Sequence, residues 1–250
     1  MLIDNHCHIY PSEVKNSNAI IESCKKENIY MILNGICKKS NLEIIELSKK
    51  YDNVFASIGY DHSVVNKITD EDIDLLEEQI KNNDITAIGE IGLDYYWVKN
   101  NKNKQKDLFK KMLNLAEKYK LPVIVHARDA EEDVYDILKG YKLKGLMHCY
   151  QGSTSLAKKF INLGYYIGID GPITYKDNKL KDLVKEIGIE NILIETDSPY
   201  LSPNPKRGEK NTSLNLIYIA KEISKILDLS LDETIEKLNN NSIKLFNIGV

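Results

Sequence analysis

Short apolar runs rich in β-branched residues alternate along this chain with longer segments in which apolar residues recur at helical spacing. Because each run is apolar almost throughout, the pattern is typical of parallel strands that are covered on both faces of a sheet. It therefore predicts eight parallel strands. They comprise residues 2–8, 30–36, 53–59, 86–91, 122–126, 145–148, 165–169 and 192–197.

The segments between the runs predict helices. Residues 104–119 place Leu108, Met112 and Ala116 on one helical face, and the region from Leu216 to Leu227 repeats this spacing. A last helix is expected to begin at Ser230, because a glutamate three residues later completes the pattern of a capping box. Eight β–α units in 250 residues predict an α/β fold, namely a single (β/α)8 TIM barrel over residues 1–250 with an additional C-terminal helix.

An open, doubly wound parallel sheet is the alternative architecture. A glycine-rich turn after the first strand would favour it, whereas the first run here ends in His6-Cys7-His8.

Composition limits the kinds of partner that this chain can have. The net charge is −3, so no overall basic field draws it to nucleic acid, and a polyanionic substrate would need local positive charge or bound metal. The four cysteines match neither a zinc motif nor a secreted disulfide framework, which favours reduced thiols in a cytoplasmic protein. We expect no signal peptide, since the chain has no cationic n-region followed by an apolar h-region. We also expect no membrane association, since no apolar run approaches about 18 residues.

Most of the candidate chemistry lies at the carboxyl ends of predicted strands, where barrel active sites are built. His6 and His8 are two residues apart on one strand and so share a face. Taken singly, such a histidine is usually structural and such a carboxylate can cap a helix, but six of these groups from five strands predict a metal centre. Six ligands exceed the needs of one tetrahedral ion and suit two divalent ions sharing a carboxylate. The six residues are His6, His8, Glu90, His126, His148 and Asp197.

Six segments, in order and at barrel spacing, resemble the TatD family of metal-dependent deoxyribonucleases, within the amidohydrolase-like barrel superfamily. The similarity runs nearly end to end. The segments are Asp4-Asn5-His6-Cys7-His8, Gly89-Glu90-Ile91-Gly92-Leu93-Asp94, Val125-His126-Ala127-Arg128, His148-Cys149-Tyr150-Gln151-Gly152, Glu195-Thr196-Asp197-Ser198-Pro199-Tyr200-Leu201 and Asn241-Ser242-Ile243-Lys244-Leu245-Phe246.

The resemblance implies roles for these residues. His6, His8 and Asp197 would hold one ion, with Glu90 bridging to a second. His126 and His148 would hold that second ion. The implied cofactors are two divalent cations (Mg²⁺, Mn²⁺ or Zn²⁺), and the implied catalytic residues are Glu90 and Asp197, the latter as the candidate general base. The implied activity is hydrolysis of DNA phosphodiester bonds as a 3′–5′ exonuclease, with single-stranded ends as the expected substrate and a monomer as the favoured state.

Several basic and polar residues near the predicted strand ends are candidate substrate contacts. Arg128 follows His126 by two residues and could grip a phosphate with two hydrogen bonds, although a salt bridge at a helix start is the ordinary alternative. Ser153 could offer its N–H group to a phosphate, and Lys176 and Arg207 could supply positive charge; each could equally belong to a simple turn or solvated loop. The aromatic run Tyr95-Tyr96-Trp97 could stack on bases or pack on the barrel rim.

Strand 3 departs from the pattern that this resemblance predicts. It reads Gly59-Tyr60-Asp61-His62, where the family usually has Gly-x-His-Pro. Asp61 therefore stands in the place of a substrate-facing histidine, unless His62 has taken that place. His62 is accordingly the fifth candidate for substrate binding.

Other functions remain open at this stage. A hydrolase of amide, ester or lactone bonds could use the same barrel, but many such enzymes bridge their metals with a carboxylated lysine on strand 4, where this chain has Glu90. Polymerase-and-histidinol-phosphatase barrels also begin His-x-His, yet they need more histidines, including a late Asp-x-His. A non-catalytic scaffold or nucleic-acid binding module is the third class, and the complete ligand set argues against it.

Overall fold

Eight parallel strands arranged in chain order form the centre of the protein in this computed structural model, which describes residues 1–97, 99–176 and 178–249. Each strand pairs with the next, so the spatial order runs from first to eighth without a reversal. The barrel prediction is thereby confirmed, because a doubly wound sheet would reverse its strand order. The strands are β1 (Leu2–Cys7), β2 (Ile29–Asn34), β3 (Val54–Ile58), β4 (Ile85–Asp94), β5 (Val123–Arg128), β6 (Gly145–Met147), β7 (Tyr165–Ile169) and β8 (Ile192–Ile194).

Helices follow the strands and cover the outside of the barrel. The last one begins where the sequence predicts, since the Ser230 hydroxyl accepts a hydrogen bond from the Glu233 N–H at 3.2 Å. No helix among the described residues is long and apolar enough to cross a membrane. The α-helices are α1 (Ser17–Lys26), α2 (Lys38–Lys50), α3 (Asp70–Asn82), α4 (Lys102–Tyr119), α5 (Glu131–Leu138), α6 (Thr154–Asn162), α7 (Leu180–Ile187), α8 (Leu216–Leu227) and α9 (Leu231–Phe246).

The barrel closes between β1 and the segment that follows β8. The Asp197 N–H donates to the His6 carbonyl at 3.1 Å, and the His8 N–H donates to the Ser198 carbonyl at 2.7 Å. The Asn5 side chain adds a hydrogen bond of 2.8 Å to the Ile194 carbonyl. Closure of the barrel therefore places Asp197, the last predicted ligand in the sequence, beside His6 and His8, the first two.

The apolar core has two layers. The larger layer lies between the strands and the surrounding helices. The smaller layer fills the barrel with one residue from each of six strands, and the C-terminal end of α9 closes it with Leu245 and Phe246. The six strand residues are Ile3, Ile32, Ala87, Ile124, Leu146 and Leu193.

Only β7 ends at the predicted residue, while the other strands end between one and three residues earlier or later. β4 continues past Glu90 to Asp94 and β5 continues past His126 to Arg128, because these two strands remain paired as far as Asp94 and Arg128. Gly92 permits this pairing, with a φ of +140° and a backbone so close to His126 that no side chain would fit. β6 and β8 instead stop short, so that His148 and Asp197 lie in the loops that follow them.

A charge cluster between α3 and α4 yields a pH-dependent prediction. Glu77 accepts hydrogen bonds from Lys118 at 2.7 Å and from Tyr119 at 2.5 Å, which together with Lys81 lower its pKa from 4.5 to about 2. A carboxylate with a lowered pKa in the folded state stabilises the fold above pH 4.5, and this contribution disappears as the pH falls towards 2. Glu77→Gln should therefore lower the melting temperature at pH 7 and have little effect near pH 2.

Glu78→Gln provides the matched control, because this neighbouring glutamate is exposed on the same helix. Thermal melts of the three proteins across this pH range would check the prediction. An equal destabilisation by Glu77→Gln at both ends of the range would contradict the assigned charge interaction.

Candidate metal centre

Four of the predicted ligands converge at one point on the carboxyl-end face of the barrel. The Nε2 atoms of His6 and His8 lie 3.0 Å apart. Glu90 Oε2 lies 3.5 Å from the first and 3.3 Å from the second. Asp197 Oδ1 lies 3.4 and 3.5 Å from the same two nitrogens. Each carboxylate oxygen therefore lies within 3.5 Å of both histidine nitrogens.

A second group surrounds the other oxygen of Glu90. Its Oε1 atom lies 3.1 Å from His126 Nδ1 and 3.3 Å from His148 Nε2, and the two nitrogens are 3.2 Å apart. The carboxylate of Glu90 thus faces both groups, one with each oxygen. The structure brings together all six residues that the sequence predicts as ligands.

The spacing within both groups suits a divalent cation. An ion held at about 2.0–2.1 Å from its ligands separates neighbouring ligand atoms by about 3.0 Å in octahedral and about 3.4 Å in tetrahedral geometry. The observed separations of 3.0–3.5 Å lie across this range. Imidazole nitrogens and carboxylate oxygens are also donors that such ions accept. The residues present therefore fit metal ions, although the spacing does not choose between metals.

Neighbouring groups orient three of the four histidines. His8 Nδ1 lies 2.9 Å from the Asn34 carbonyl, which holds that nitrogen protonated and leaves Nε2 free to bind. Asp94 Oδ2 lies 3.0 Å from His126 Nε2, which holds that nitrogen protonated and leaves Nδ1 free to bind. Glu195 Oε1 lies 3.5 Å from His148 Nδ1. The sequence predicts no such role for Asn34 or Asp94, although Asp94 stands in the Gly89–Asp94 motif.

A buried network holds the loop that carries Asp197. Asp4 accepts hydrogen bonds from the Thr196 N–H at 2.9 Å and from its hydroxyl at 2.5 Å. The Thr196 hydroxyl also contacts Ser198 at 2.7 Å. Residues on both sides of Asp197 are therefore tied down, which limits where its carboxylate can go.

The electrostatics of the groups favour a cation. Although burial opposes their protonation, the nearby carboxylates raise the pKa of His8 to about 10 and that of His126 to about 9. Burial would raise the pKa of Glu90 and Asp197, but the surrounding histidines hold both well below the usual range. Burial, together with nearby His148, lowers the pKa of His6. The carboxylates thus stay ionised and attract positive charge, supplied by protons or by metal ions.

Both groups open into a cleft of about 700 Å³. His62 lies beside it, with its ring stacked 5.1 Å from that of His126 and its Nε2 3.8 Å from Asp94 Oδ2. Asp61 instead caps the short helix that begins at His62, accepting the Ser63 N–H at 2.9 Å. His62 therefore packs against His126 of the second group, while Asp61 is the one of the two that lines the cleft.

The other residues predicted to contact substrate lie in two places. Arg128 lines the cleft, and it is the one lysine or arginine among the described residues that does so. Ser153 and Lys176 line a neighbouring cavity of about 790 Å³, which Gln151 joins to the cleft. The guanidinium of Arg207 lies 4.5 Å from the ring of Tyr175, which also lines that second cavity.

Cys149 lies at the wall of the cleft and not in the apolar core. The backbone turns at this residue, with a φ of +46°, and its side chain lines the cleft. Its thiol donates a hydrogen bond to Asp170 at 3.0 Å, while its N–H donates to Glu195. Burial, with the charge of Asp170 close by, raises the pKa of this thiol well above its usual range, so it is protonated at neutral pH.

A model of one protein family matches residues 3–247, nearly the whole chain, and its description is TatD related DNase. The chain belongs to this family. Relatives agree with the match along their full length. The metal-dependent hydrolase YabD of Bacillus subtilis is 34% identical over 255 residues, covering 100% of both chains. The metal-dependent hydrolase MJ1582 of Methanocaldococcus jannaschii is 38% identical over 248 residues, covering 98% of this chain and 96% of its own.

A solved structure of another TatD homologue has the same architecture. The Escherichia coli protein YjjV superposes with a TM-score of 0.92 at 26% identity, covering 99% of this chain and 98% of its own. This chain is therefore a TatD-family metal-dependent hydrolase on a TIM barrel, with candidate metal-binding clusters at the carboxyl ends of its strands.

Proposed function

We propose that this protein is a deoxyribonuclease that removes nucleotides from the 3′ end of single-stranded DNA with two bound divalent cations. The observation that carries the proposal is the position of Glu90, which faces one histidine pair with each carboxylate oxygen. Two sites that share a carboxylate suit two-metal phosphoryl chemistry, in which paired ions stabilise the attacking and leaving oxygens. The TatD-related DNase family match supports DNA as the substrate class.

Each ligand has an assigned place in this proposal. His6, His8 and Asp197 hold one ion, His126 and His148 hold the other, and Glu90 contacts both. When bound, the ions would polarise the phosphoryl oxygens and make a water acidic enough to ionise near neutral pH. Asn34, Asp94 and Glu195 keep the histidines in the orientation that exposes the binding nitrogen.

Asp197 is the candidate general base. All the contacts described for its carboxylate with His6 and His8 use Oδ1, which leaves Oδ2 to accept a hydrogen bond from a water. The lowered pKa of Asp197 keeps it ionised at neutral pH and so able to orient such a water. Its side chain is 14% exposed, enough to meet solvent in the cleft.

A polyanion also needs positive charge near the metals, because several carboxylates line the cleft. Arg128 supplies it at the cleft wall, on the same strand as His126 and two residues beyond it. We propose His62 as a second contact on the same side of the cleft. Ser153, Lys176 and Arg207 would meet more distant parts of a longer strand, next to the neighbouring cavity.

End-labelled DNA tests the proposal. We expect metal-dependent loss of nucleotides from the 3′ end of a 5′-labelled single-stranded oligonucleotide, slower loss from a blunt duplex, and no loss after chelation. Leu75→Ala, an exposed change on the outer helix α3, should match the wild type. His6→Ala should lose the activity.

Two results would contradict this function. One is the absence of DNA cleavage with Mg²⁺, Mn²⁺ and Zn²⁺ in turn. The other is cleavage that survives both chelation and His6→Ala. Turnover of amide, ester or lactone substrates in place of DNA would move the protein to the other class of hydrolase on this barrel.

A further inference from the structure

Two large aromatic side chains are exposed at the mouth of the cleft. Tyr96 is 47% and Trp97 is 69% exposed, and both line the cleft that contains the metal-ligand groups. Their rings meet edge to face, with centroids 4.8 Å apart. Tryptophan is highly buried on average, so this degree of exposure beside a cleft indicates a surface that a ligand covers.

Arg128 extends the same surface. Its guanidinium lies 4.3 Å from the centre of the Tyr96 ring and 5.7 Å from that of Trp97. Among the described residues no ion pair to Arg128 is formed, so its charge remains for a ligand. We call Tyr96, Trp97 and Arg128 the aromatic platform.

Asp94 connects the aromatic platform to the second metal-ligand group. One carboxylate oxygen lies 3.0 Å from His126 Nε2, and the other accepts the Trp97 N–H at 2.8 Å. Gln105 holds the backbone of Asp94 with hydrogen bonds of 2.8 and 3.0 Å. The aromatic platform thus has a set position relative to His126.

Tyr95 anchors the loop instead of joining this surface. It is buried, its hydroxyl donates to Asp133 at 2.7 Å, and Lys102 lies 4.1 Å from its ring centre. With Tyr95 packed below, the two residues that follow it are held outward. The exposure of Tyr96 and Trp97 is therefore a consequence of how the loop is built.

We infer that the aromatic platform stacks on the unpaired base of a nucleotide next to the phosphate at the metal centre, while Arg128 binds a phosphate. This inference rests on the proposed function and adds the feature that selects unpaired ends. Aromatic rings and guanidinium planes stack on any base, because every base has a π face. A base inside a duplex is covered by its neighbours, so it must leave the stack before the aromatic platform can bind it.

Trp97 is the only tryptophan in the chain, so its fluorescence reports on the aromatic platform directly. The titration uses the Asp197→Asn variant, to prevent turnover, with Mg²⁺ and an oligothymidylate of eight nucleotides. We expect saturable quenching. Binding should be about 10-fold weaker for the same strand with abasic analogues at its two 3′-terminal positions, and a blunt duplex should quench little.

Kinetics on the active enzyme provide the second measurement. Trp97→Ala should raise KM for single-stranded DNA about 10-fold with little change in kcat. Trp97→Phe should keep KM close to the wild-type value. Leu75→Ala controls for removal of an exposed apolar side chain elsewhere. The KM difference between single-stranded and duplex substrates should shrink in Trp97→Ala.

The outcomes separate this inference from the proposed function. Normal DNA cleavage together with equal affinity for strands with and without terminal bases, or with an unchanged KM in Trp97→Ala, overturns the aromatic platform and leaves the nuclease intact. Absence of cleavage by the wild type overturns the nuclease. If the wild type does not cleave DNA, base-dependent quenching still supports the aromatic platform. If DNA also fails to quench the fluorescence, the aromatic platform is overturned as well.

Discussion

Asp197→Asn is expected to lower DNA hydrolysis by between about 100- and 10,000-fold while the barrel stays folded. The asparagine has nearly the same size, and the hydrogen bonds that close the barrel here use the backbone of Asp197. What disappears is a charge that faces His6 and His8 and an oxygen that can take a proton from water. The loss should fall on kcat, since the substitution leaves untouched the phosphate contact that we propose for Arg128.

Steady-state kinetics with each divalent metal, together with a thermal melt, would check this expectation. Asp107→Asn is a matched control because it makes the same change at an exposed position on α4. If Asp197→Asn retained more than a tenth of the wild-type kcat with metal present, Asp197 would not be the general base. A fall in metal content that accounts for the whole loss would assign Asp197 a binding role only.

Glu90→Gln is expected to reduce tightly bound divalent ions from two per chain to one or none. The two carboxylate oxygens face separate histidine pairs, so one substitution removes negative charge from both groups. Glu90 is 6% exposed, and water cannot readily replace the missing charge. Because losing an outer hydrogen-bond partner costs about 10- to 100-fold in metal affinity, losing a shared ligand should cost at least about 100-fold.

Metal content after dialysis, measured by mass spectrometry, and isothermal titration would test this. Asp94→Asn is the informative comparison, because Asp94 contacts only the second group, through His126. Asp94→Asn should weaken the binding of one ion and leave the binding of the other unchanged. Two ions retained with wild-type affinity in Glu90→Gln would show that the groups do not share this carboxylate.

Much of the fold could be predicted from hydrophobic patterning alone. Apolar runs of strand length mark all eight strands, and the periodicity between 104 and 119 marks α4 to within two residues. Such patterns are local: they depend on which side chains must be buried and on the period of the element that buries them. The start of α9 was equally readable, because Ser230 and Glu233 form a cap within four residues of chain.

The strand ends could not be predicted in the same way. β4 and β5 extend beyond their apolar runs because they pair with one another, and the pairing depends on Gly92 lying against the backbone of His126. The distribution of the basic residues also depends on tertiary structure. Lys176 and Arg207 follow strands whose ends face the site, yet they lie at a neighbouring cavity and not in the cleft.

By itself, the sequence determined which residues could bind metal and showed that they lie at the ends of strands. Only the tertiary structure decided which way they point. In β1 the barrel-filling residue is Ile3, and strict alternation would put Cys7, not His6 and His8, on that face. A register shift between Asp4 and Cys7 reverses the phase, so Cys7 packs outward against the helices.

The same reversal occurs in β4, where Ala87 fills the barrel while Ile88 and Ile91 both pack outward, three residues apart. The register shift between those isoleucines accompanies the change of face around Glu90. Such shifts re-aim side chains because the extra residue has no partner on the next strand. They arise from pairing between segments distant in the chain. The sequence therefore predicts which residues meet at the metal centre, but not the register shifts that turn their side chains towards it.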